Sequence, residues 1–397
     1  MLRHAWTAGL ALGSALLAPG ALAAALLGGC PLPPLPEHPP AGAVDVTRHG
    51  AQPDDDRADD DAVQRALAAL RPGDWLVFPP GRYRFERRIE VRVPSVTLWG
   101  RGAELLALDS EDQTLGVRAS GVRVIGFTLQ GRLQTRRTTP DSARLSARPP
   151  EEGGAPLQGV VLRDNRIASG ASAGIFVSGV EGFTVAGNHV SGTLADGIHV
   201  TGGAADGRVV GNRVERVGDD GIAVVSYQGD RGPVQRVLVE DNEVDDLPWG
   251  RGLSVVGGED VTLRHNRVAR VQRAAGVLVA REDGWRTAGV QRVLVEGNVV
   301  RDTQPGGPVT GHAAIEIHAL GQTGQVRQVR VRANRIEGGS TDGVRLGADS
   351  RPGALRQVQL QDNRIDGVQG QPVAVLVQGA QGAVGEQALP PRCERLP

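Results

Sequence analysis

The chain is poor in several residue types, and each shortage excludes something. In 397 residues there are 2 cysteines, a single methionine and 3% aromatic side chains, and all 44 basic residues read as arginine. Two cysteines, Cys30 and Cys393, cannot build a disulfide scaffold, and no Cys/His cluster suggests a structural zinc site. Without lysine no mechanism can use a lysine base or Schiff base. The formal net charge of -1 gives no electrostatic case for nucleic acid. The one long apolar run lies within residues 5–29.

What is present is glycine, 56 residues of it, together with many short valine-rich segments, in a chain that is 40% hydrophobic. That composition is too apolar for disorder and lacks the strict period of collagen. Between residues 195 and 258 one pattern recurs three times: glycine, an apolar residue, any residue, then valine. The glycines are Gly197, Gly221 and Gly252, and the apolar pairs are Ile198 and Val200, Ile222 and Val224, Leu253 and Val255. Period-2 alternation predicts short strands with one buried face, and near-regular recurrence predicts one structural unit repeated. A single long repetitive domain follows, with no feature that calls for a second copy, so a monomer is expected.

Taken in order, residues 1–30 read as an export leader, with Arg3 and His4 before the apolar run. Leu27-Gly28-Gly29-Cys30 resembles a bacterial lipobox, which implies lipidation of Cys30, contact with a membrane only through that anchor, and an extracytoplasmic address. Cleavage after Ala23, giving a periplasmic or secreted protein, and an uncleaved anchor remain alternatives. Residues 31–43 form a proline-rich tether. A Cys30–Cys393 disulfide is disfavoured: the ends of about ten stacked coils lie ~50 Å apart.

Residues 44–85 hold an acidic run at 54–61, a helical pattern at 62–70, and then Phe78-Pro79-Pro80-Gly81 and Tyr83. The carboxylates are expected to cap the helix and favour its positive end. The order of these features resembles the N-terminal cap of the pectate-lyase superfamily. Residues 86–392 are expected to form the solenoid, broken at 133–158 by a long loop carrying Arg136, Arg137, Arg144 and Arg148. That loop is either disordered or a basic flap over an anionic ligand.

From Val160 the repeat carries an asparagine in each unit: Asn165, Asn188, Asn212, Asn242, Asn266, Asn298, Asn334 and Asn363. The shortest spacings are 23 and 24 residues, and stacked amides would satisfy one another and the turns. The stretch resembles the right-handed parallel β-helix repeats of the pectin-lyase-like superfamily. The fold implied is all-β, a single-stranded right-handed parallel β-helix with an N-terminal capping helix. Extra residues at 227–234, 281–290, 303–311 and 319–326 interrupt the repeat, and insertions in solenoids tend to wall a binding face. The groove floor is then the outward side of the glycine-marked strands.

Aligning units on their glycines puts Asp196, Asp220 and Arg251 in one row, with Asp219 beside it, His199 on the adjacent strand, and Glu316 and Arg345 further on. Like charges one coil apart, ~4.8 Å, should push one carboxyl pKa up while Arg251 pulls another down, giving an acid and a base. Asp196-Gly197, Asp219-Asp220 and Gly250-Arg251-Gly252 resemble the successive motifs of polygalacturonase-type glycoside hydrolases, with Arg251 in place of a histidine and Leu278 and Ala280 in place of an Arg and a Lys. The resemblance implies a catalytic carboxylate set of Asp196, Asp219 and Asp220, aided by Arg251 and His199. Tyr227, Trp249 and Trp285 are candidates for stacking on sugars, and Glu282, Glu316 and His318 for binding them. The expected partner is a polysaccharide, neutral or acidic. No cofactor is expected for a hydrolase. A lyase reading would use Arg251 as base and a Ca²⁺ held by the three aspartates. In a third reading the protein only binds polysaccharide or builds a surface structure, and each Asp-Gly pair is a tight turn in which Gly supplies positive φ.

Overall fold

The computed structural model describes residues 32–108, 114–131, 142–320, 325–348 and 354–376. The expected leader, the expected lipobox with Cys30, and Cys393 lie outside the described residues, as do Arg136 and Arg137. No helix among the described residues is long and apolar enough to cross a membrane.

From His38 the described chain forms one compact unit, built of three parallel sheets. The first has 14 strands, starting with Val44–Asp45 and ending with Leu355–Gln361. The second and third have 11 strands each. Each turn of the chain gives one strand to each sheet and then climbs one coil, so strands pair with partners one turn away. The second sheet includes the glycine-marked strands Ile198–Thr201, Ile222–Val225, Leu253–Val256 and Val277–Arg281. Their register is Ile198↔Ile222, Ile222↔Leu253 and Leu253↔Val277, the alignment expected from the glycines alone.

Inside the coil, valine, isoleucine and leucine stack in columns, and the few aromatics concentrate near the start. Phe78, Tyr83 and Phe127 meet edge to face at 5.3–5.4 Å, a geometry that adds to their burial. The Tyr83 hydroxyl donates to the Pro79 carbonyl at 2.9 Å. Helix Asp60–Ala69 lays Ala62, Val63, Ala66 and Leu67 against this end.

Its acidic run does something other than the expected capping. Asp59 makes no side-chain cap. Its carboxylate accepts the backbone N–H groups of Gln52 and Arg84, and the Asp60 carboxylate accepts those of Glu86 and Arg87. These acids sew the helix to the first coil.

The loop expected at 133–158 is also corrected in its described part. Leu145–Ala147 is a strand of the second sheet, paired on both sides, and Leu157–Gln158 pairs with Val180–Glu181. Arg144 is no flap residue: it is fully buried, its Nε donates to the Ser169 carbonyl at 3.0 Å, and its guanidinium fills the space that a Gly131 side chain would take. Proline and arginine on both sides hide a three-residue strand from any periodicity test.

Candidate active site

The site lies where the chain enters the second sheet, on successive coils. The glycines there are needed for space, not for backbone freedom. A Cβ on Gly221 would sit 2.4 Å from Val244 Cγ1 and 2.6 Å from the Gly252 carbonyl oxygen; one on Gly197 or Gly252 would meet the same kinds of atoms. None of the three has positive φ, which corrects the tight-turn reading of Asp-Gly. Gly250 does, at 65°.

With the glycines stacked, the preceding residues fall in one row and their carboxylates bridge coils. Asp196 Oδ1 accepts the Asp220 N–H at 2.9 Å, and Asp220 Oδ1 accepts the Arg251 N–H at 2.8 Å. Each carboxylate uses its other oxygen on a side chain. His199 Nδ1 donates to Asp196 Oδ2 at 2.6 Å, and Ser254 Oγ donates to Asp220 Oδ2 at 2.6 Å. Arg251 Nε lies 3.0 Å from Asp220 Oδ1 but off its N–H axis, so this contact is an ion pair without a hydrogen bond. Arg251 Nη2 reaches Glu282 at 3.9 Å. One oxygen from each of Asp196, Asp219 and Asp220 falls within 4.8 Å of the others.

Six expected site residues therefore converge: Asp196, His199, Asp219, Asp220, Arg251 and Glu282. Asp220 is buried, while Asp196, Asp219 and Arg251 are part exposed. Tyr227 joins them from the insertion at 227–234. Its hydroxyl pKa is pushed up to about 12 by burial and then by the nearby charges of Asp196, Asp230, Asp220 and Asp219.

The titration pattern differs from the expectation that Arg251 would pull one acid down. Burial drives the Asp220 pKa upward, and Arg251 beside it does not reverse that. Burial also raises Glu282. For His199 burial pulls downward, but the hydrogen bond to Asp196 and the charges of Asp196, Asp220 and Asp219 outweigh it and raise its pKa. Burial works against the charge of Arg251 too, and Asp220, Glu282, Asp219 and Asp196 more than compensate, so its pKa rises.

Other expectations land elsewhere. Glu316 and His318 lie in register with Leu278 and Ala280 and belong to a second cluster with Arg345, Asp342 and His312. Glu316 accepts the Ala313 N–H, and Arg345 pairs with Asp342 at 2.8 Å. Trp249 carries the Arg273 guanidinium 5.0 Å over its ring. Trp285 stands 71% exposed on a short 3-10 turn, Asp283–Trp285.

The expected groove floor is filled at its centre. Ala223, Val225, Val256, Ala275, Leu278 and Ala280 form a second, small apolar cluster on the outer face. Around it the insertions join: Tyr227 bridges to Thr287, Gln228 N–H donates to Arg286, and Ala288 N–H donates to Ser226. Among the described residues the edge that holds the acids stays part exposed. Sequence reasoning missed Ser254 as a partner of Asp220, although it stands in the same glycine-aligned row as His199; a neutral serine gives no charge signal. It also missed Phe176, whose ring stacks on His199 at 5.4 Å and 11°.

Residues 156–319 match the family described as the right handed beta helix region. No curated protein matches the chain. Among solved structures, the catalytic domain of a GH87 alpha-1,3-glucanase in complex with nigerose is similar with a TM-score of 0.65 at 15% identity, over 87% of this chain and 70% of that chain. A GH87 alpha-1,3-glucanase catalytic unit from Streptomyces thermodiastaticus gives 0.57 at 21% identity, over 86% and 68%. The A-module of an Azotobacter vinelandii mannuronan C-5 epimerase gives 0.62 at 17% identity, over 86% and 100%. Glucanase catalytic domains have been solved with single aspartates changed to alanine, two at adjacent positions and a third 23 positions before that pair. Three parallel sheets that climb one coil per turn, together with these matches, make the chain a right-handed parallel β-helix.

Proposed function

We propose that this protein hydrolyses glycosidic bonds of a polysaccharide at the Asp196, Asp219 and Asp220 edge. The observation that carries the reading is the convergence of these three carboxylates, with oxygens within 4.8 Å, on an edge that remains part exposed. The spacing of the three, an adjacent pair preceded by 23 residues, equals that of the aspartates replaced in the glucanases.

Roles follow from how each acid is held. Both oxygens of Asp196 and of Asp220 are fixed by hydrogen bonds, which suits orienting a water and accepting its proton. Asp219, part exposed like Asp196 and next in sequence to the buried Asp220, is assigned to give a proton to the leaving sugar oxygen. Water oxygen bonds to the anomeric carbon, the bond from that carbon to the bridging oxygen breaks, and the proton lost by water is balanced by the one Asp219 gives. Arg251 and the His199–Asp196 pair hold the carboxylates in place. Tyr227 offers a face and a hydroxyl to the sugar.

A lyase remains the second reading, because the carboxylate spacing would also suit a Ca²⁺. Arg251 is then a poor base, since its neighbours hold its proton more tightly. We also propose that the protein lies outside the cytoplasm, because residues 1–30 resemble an export leader ending in a lipobox; palmitate labelling of wild type but not of Cys30→Ser tests the anchor.

The decisive assay incubates the protein with alpha-1,3-glucan and a panel of neutral and acidic polysaccharides, reading reducing ends and absorbance at 235 nm together. New reducing ends without absorbance are expected, and Asp219→Asn should lower the rate by ~10²–10⁴-fold. Absorbance that needs Ca²⁺ would replace the hydrolase by the lyase. Silence on every polymer would leave a binding or surface-structural protein.

A further inference from the structure

Arg251 and Glu282 meet at the acidic edge with polar atoms left over. Arg251 turns Nε toward Asp220, 3.0 Å away, and Nη2 toward Glu282 Oε2, 3.9 Å away. The first contact is off the N–H axis, and the second is beyond hydrogen-bond range. Among the described residues, no side-chain nitrogen of Arg251 donates a hydrogen bond and neither carboxyl oxygen of Glu282 accepts one. Both side chains still reach solvent, at 20% and 16% exposure. Asp196 and Asp220 differ, since hydrogen bonds take both oxygens of each.

The backbones that carry the pair are fixed. The Arg251 N–H donates to Asp220 Oδ1, and the Arg251 carbonyl accepts the Gly221 N–H at 2.8 Å. The Glu282 N–H donates to Thr287 Oγ1 at 2.8 Å, and the Glu282 carbonyl accepts the N–H groups of Trp285 and Thr287 at 3.3 and 3.2 Å. Thr287 in turn bridges to Tyr227. These bonds close the turn that opens the insertion at 281–290, and none of them uses the Glu282 carboxyl. Unused donors and acceptors on a fixed frame favour binding, because the frame is ordered before a ligand arrives.

The gap of 3.9 Å suits a bridging oxygen that accepts from one side and donates to the other. A sugar hydroxyl can do both: it accepts from Arg251 Nη2 and donates to Glu282 Oε2. A uronate carboxylate accepts from Arg251 but has no hydrogen to give an ionised Glu282. We propose that Arg251 and Glu282 form a clamp for a hydroxyl of an uncharged sugar beside the one held at the aspartates. The proposal rests on the polysaccharide reading of the edge and narrows its ligand, since the sugar at the clamp presents a hydroxyl where a polyuronate would present a carboxylate. Burial raises the Glu282 pKa, with Arg251 opposing it and the charges of Asp220 and Asp219 adding to it, so neutral and acidic sugars are best compared at alkaline pH.

The test is calorimetric binding to the full chain carrying Asp219→Asn, which slows turnover. The probes are nigerotetraose, maltotetraose and cellotetraose, all neutral, and tetragalacturonate, acidic throughout. The best neutral probe is expected to bind about tenfold more tightly than tetragalacturonate, and Glu282→Ala should remove about that factor. Should Glu282→Ala fail to fold, Glu282→Met, of similar length and without an acceptor, carries the same expectation. Glu282→Gln keeps an oxygen for the hydroxyl and should retain most of the affinity, whereas a Glu282 that only balances the charge of Arg251 would make Gln as damaging as Ala. With Asp219 restored, the Glu282→Ala loss should fall on KM more than on kcat. Equal damage from Gln and Ala, unchanged binding in folded Glu282→Ala, tighter binding of tetragalacturonate, or no binding of any neutral probe would overturn the clamp. Glu282-dependent binding without reducing ends from any polymer would sink the hydrolase and keep the clamp. Reducing ends released with an unchanged KM by Glu282→Ala would do the reverse.

Discussion

Two ladders run up this solenoid and use side-chain oxygens to bridge coils, but only one could do chemistry. In the asparagine ladder each amide both gives and receives. Asn242 Oδ1 accepts from the backbone N–H and the Nδ2 of Asn212, while its own Nδ2 donates to Asn266 and to the Val209 carbonyl. The pattern repeats from Asn165 to Asn363, buried over nearly its whole length. An amide carries its own donors, so the ladder closes on itself. The aspartate row runs the other way: Asp196 and Asp220 accept a backbone N–H from the following coil. A carboxylate has no donor, so the remaining oxygen of each must recruit one, and His199 and Ser254 are what they recruit. Satisfying the acids assembles proton-handling groups at one edge, whereas satisfying the amides uses every group up.

The comparison can be broken hardest at the amides. Asn242→Ala removes four hydrogen bonds and leaves buried partners on three residues. At ~1–3 kcal/mol per abandoned buried group, a loss of roughly 4 kcal/mol in unfolding free energy is expected. Denaturant titration would measure it; a loss below ~1 kcal/mol would mean the ladder is replaceable by water.

The next effect belongs to the glycine column that both rows depend on for register. Gly221→Ala drives a methyl to 2.4 Å from Val244 Cγ1 and 2.6 Å from the Gly252 carbonyl. The backbone of the next coil cannot rotate away, so a cost near ~3 kcal/mol is expected, at the upper end for overpacking. Gly250→Ala is disfavoured for a different reason, its positive φ together with contact at 2.2–2.3 Å with the Asp219 peptide. Its melt should therefore shift along with the geometry of Asp219.

These glycines mark what was legible in the sequence. Strand register across the second sheet could be read because glycine is forced wherever coils touch, and the residues beside it are then fixed to one row. The same logic brought Asp196, Asp219, Asp220 and Arg251 together. Three things were not legible. The strand Leu145–Ala147 is too short to show a period. The helix-end acids look like caps because composition does not say which N–H a carboxylate finds. The outer apolar cluster at Ala223 and Leu278 looks like an open floor because alternation reports which face a residue takes and is silent on what later covers that face.

A smaller effect separates the two ladders by pH. The asparagine ladder does not titrate, but His199 does, and its pKa is raised in the folded protein. A raised histidine pKa favours the folded state fully below the ordinary value of about 6.5, and that advantage is lost as pH rises through the folded value. Asp220 and Glu282, also raised, push in the same direction but over the carboxylate range. The stability difference between wild type and His199→Gln should therefore shrink on going from acid to alkaline pH, while the difference between wild type and Asn242→Ala stays flat. A difference for His199→Gln that grows with pH would mean the imidazole is neutral against Asp196.

The smallest expected effect tests whether the aspartate row is chemistry or carpentry. Asp342 repeats the device away from the edge: its Oδ1 accepts the Gln371 N–H at 2.7 Å and its Oδ2 pairs with Arg345. Asp342→Asn keeps an acceptor for that N–H and an oxygen for Arg345, and loses only the charge of a part-buried ion pair, so a change of about 1 kcal/mol is expected. Asp220→Asn likewise keeps an oxygen for the Arg251 N–H. It must turn an NH₂ toward the Ser254 hydroxyl, which can reverse its role and accept, so folding should again be little affected. If both variants melt like wild type while only Asp220→Asn abolishes hydrolysis, the charge at the edge serves the reaction and not the coil. Equal activity in the two would return every aspartate in the row to a bridge between coils.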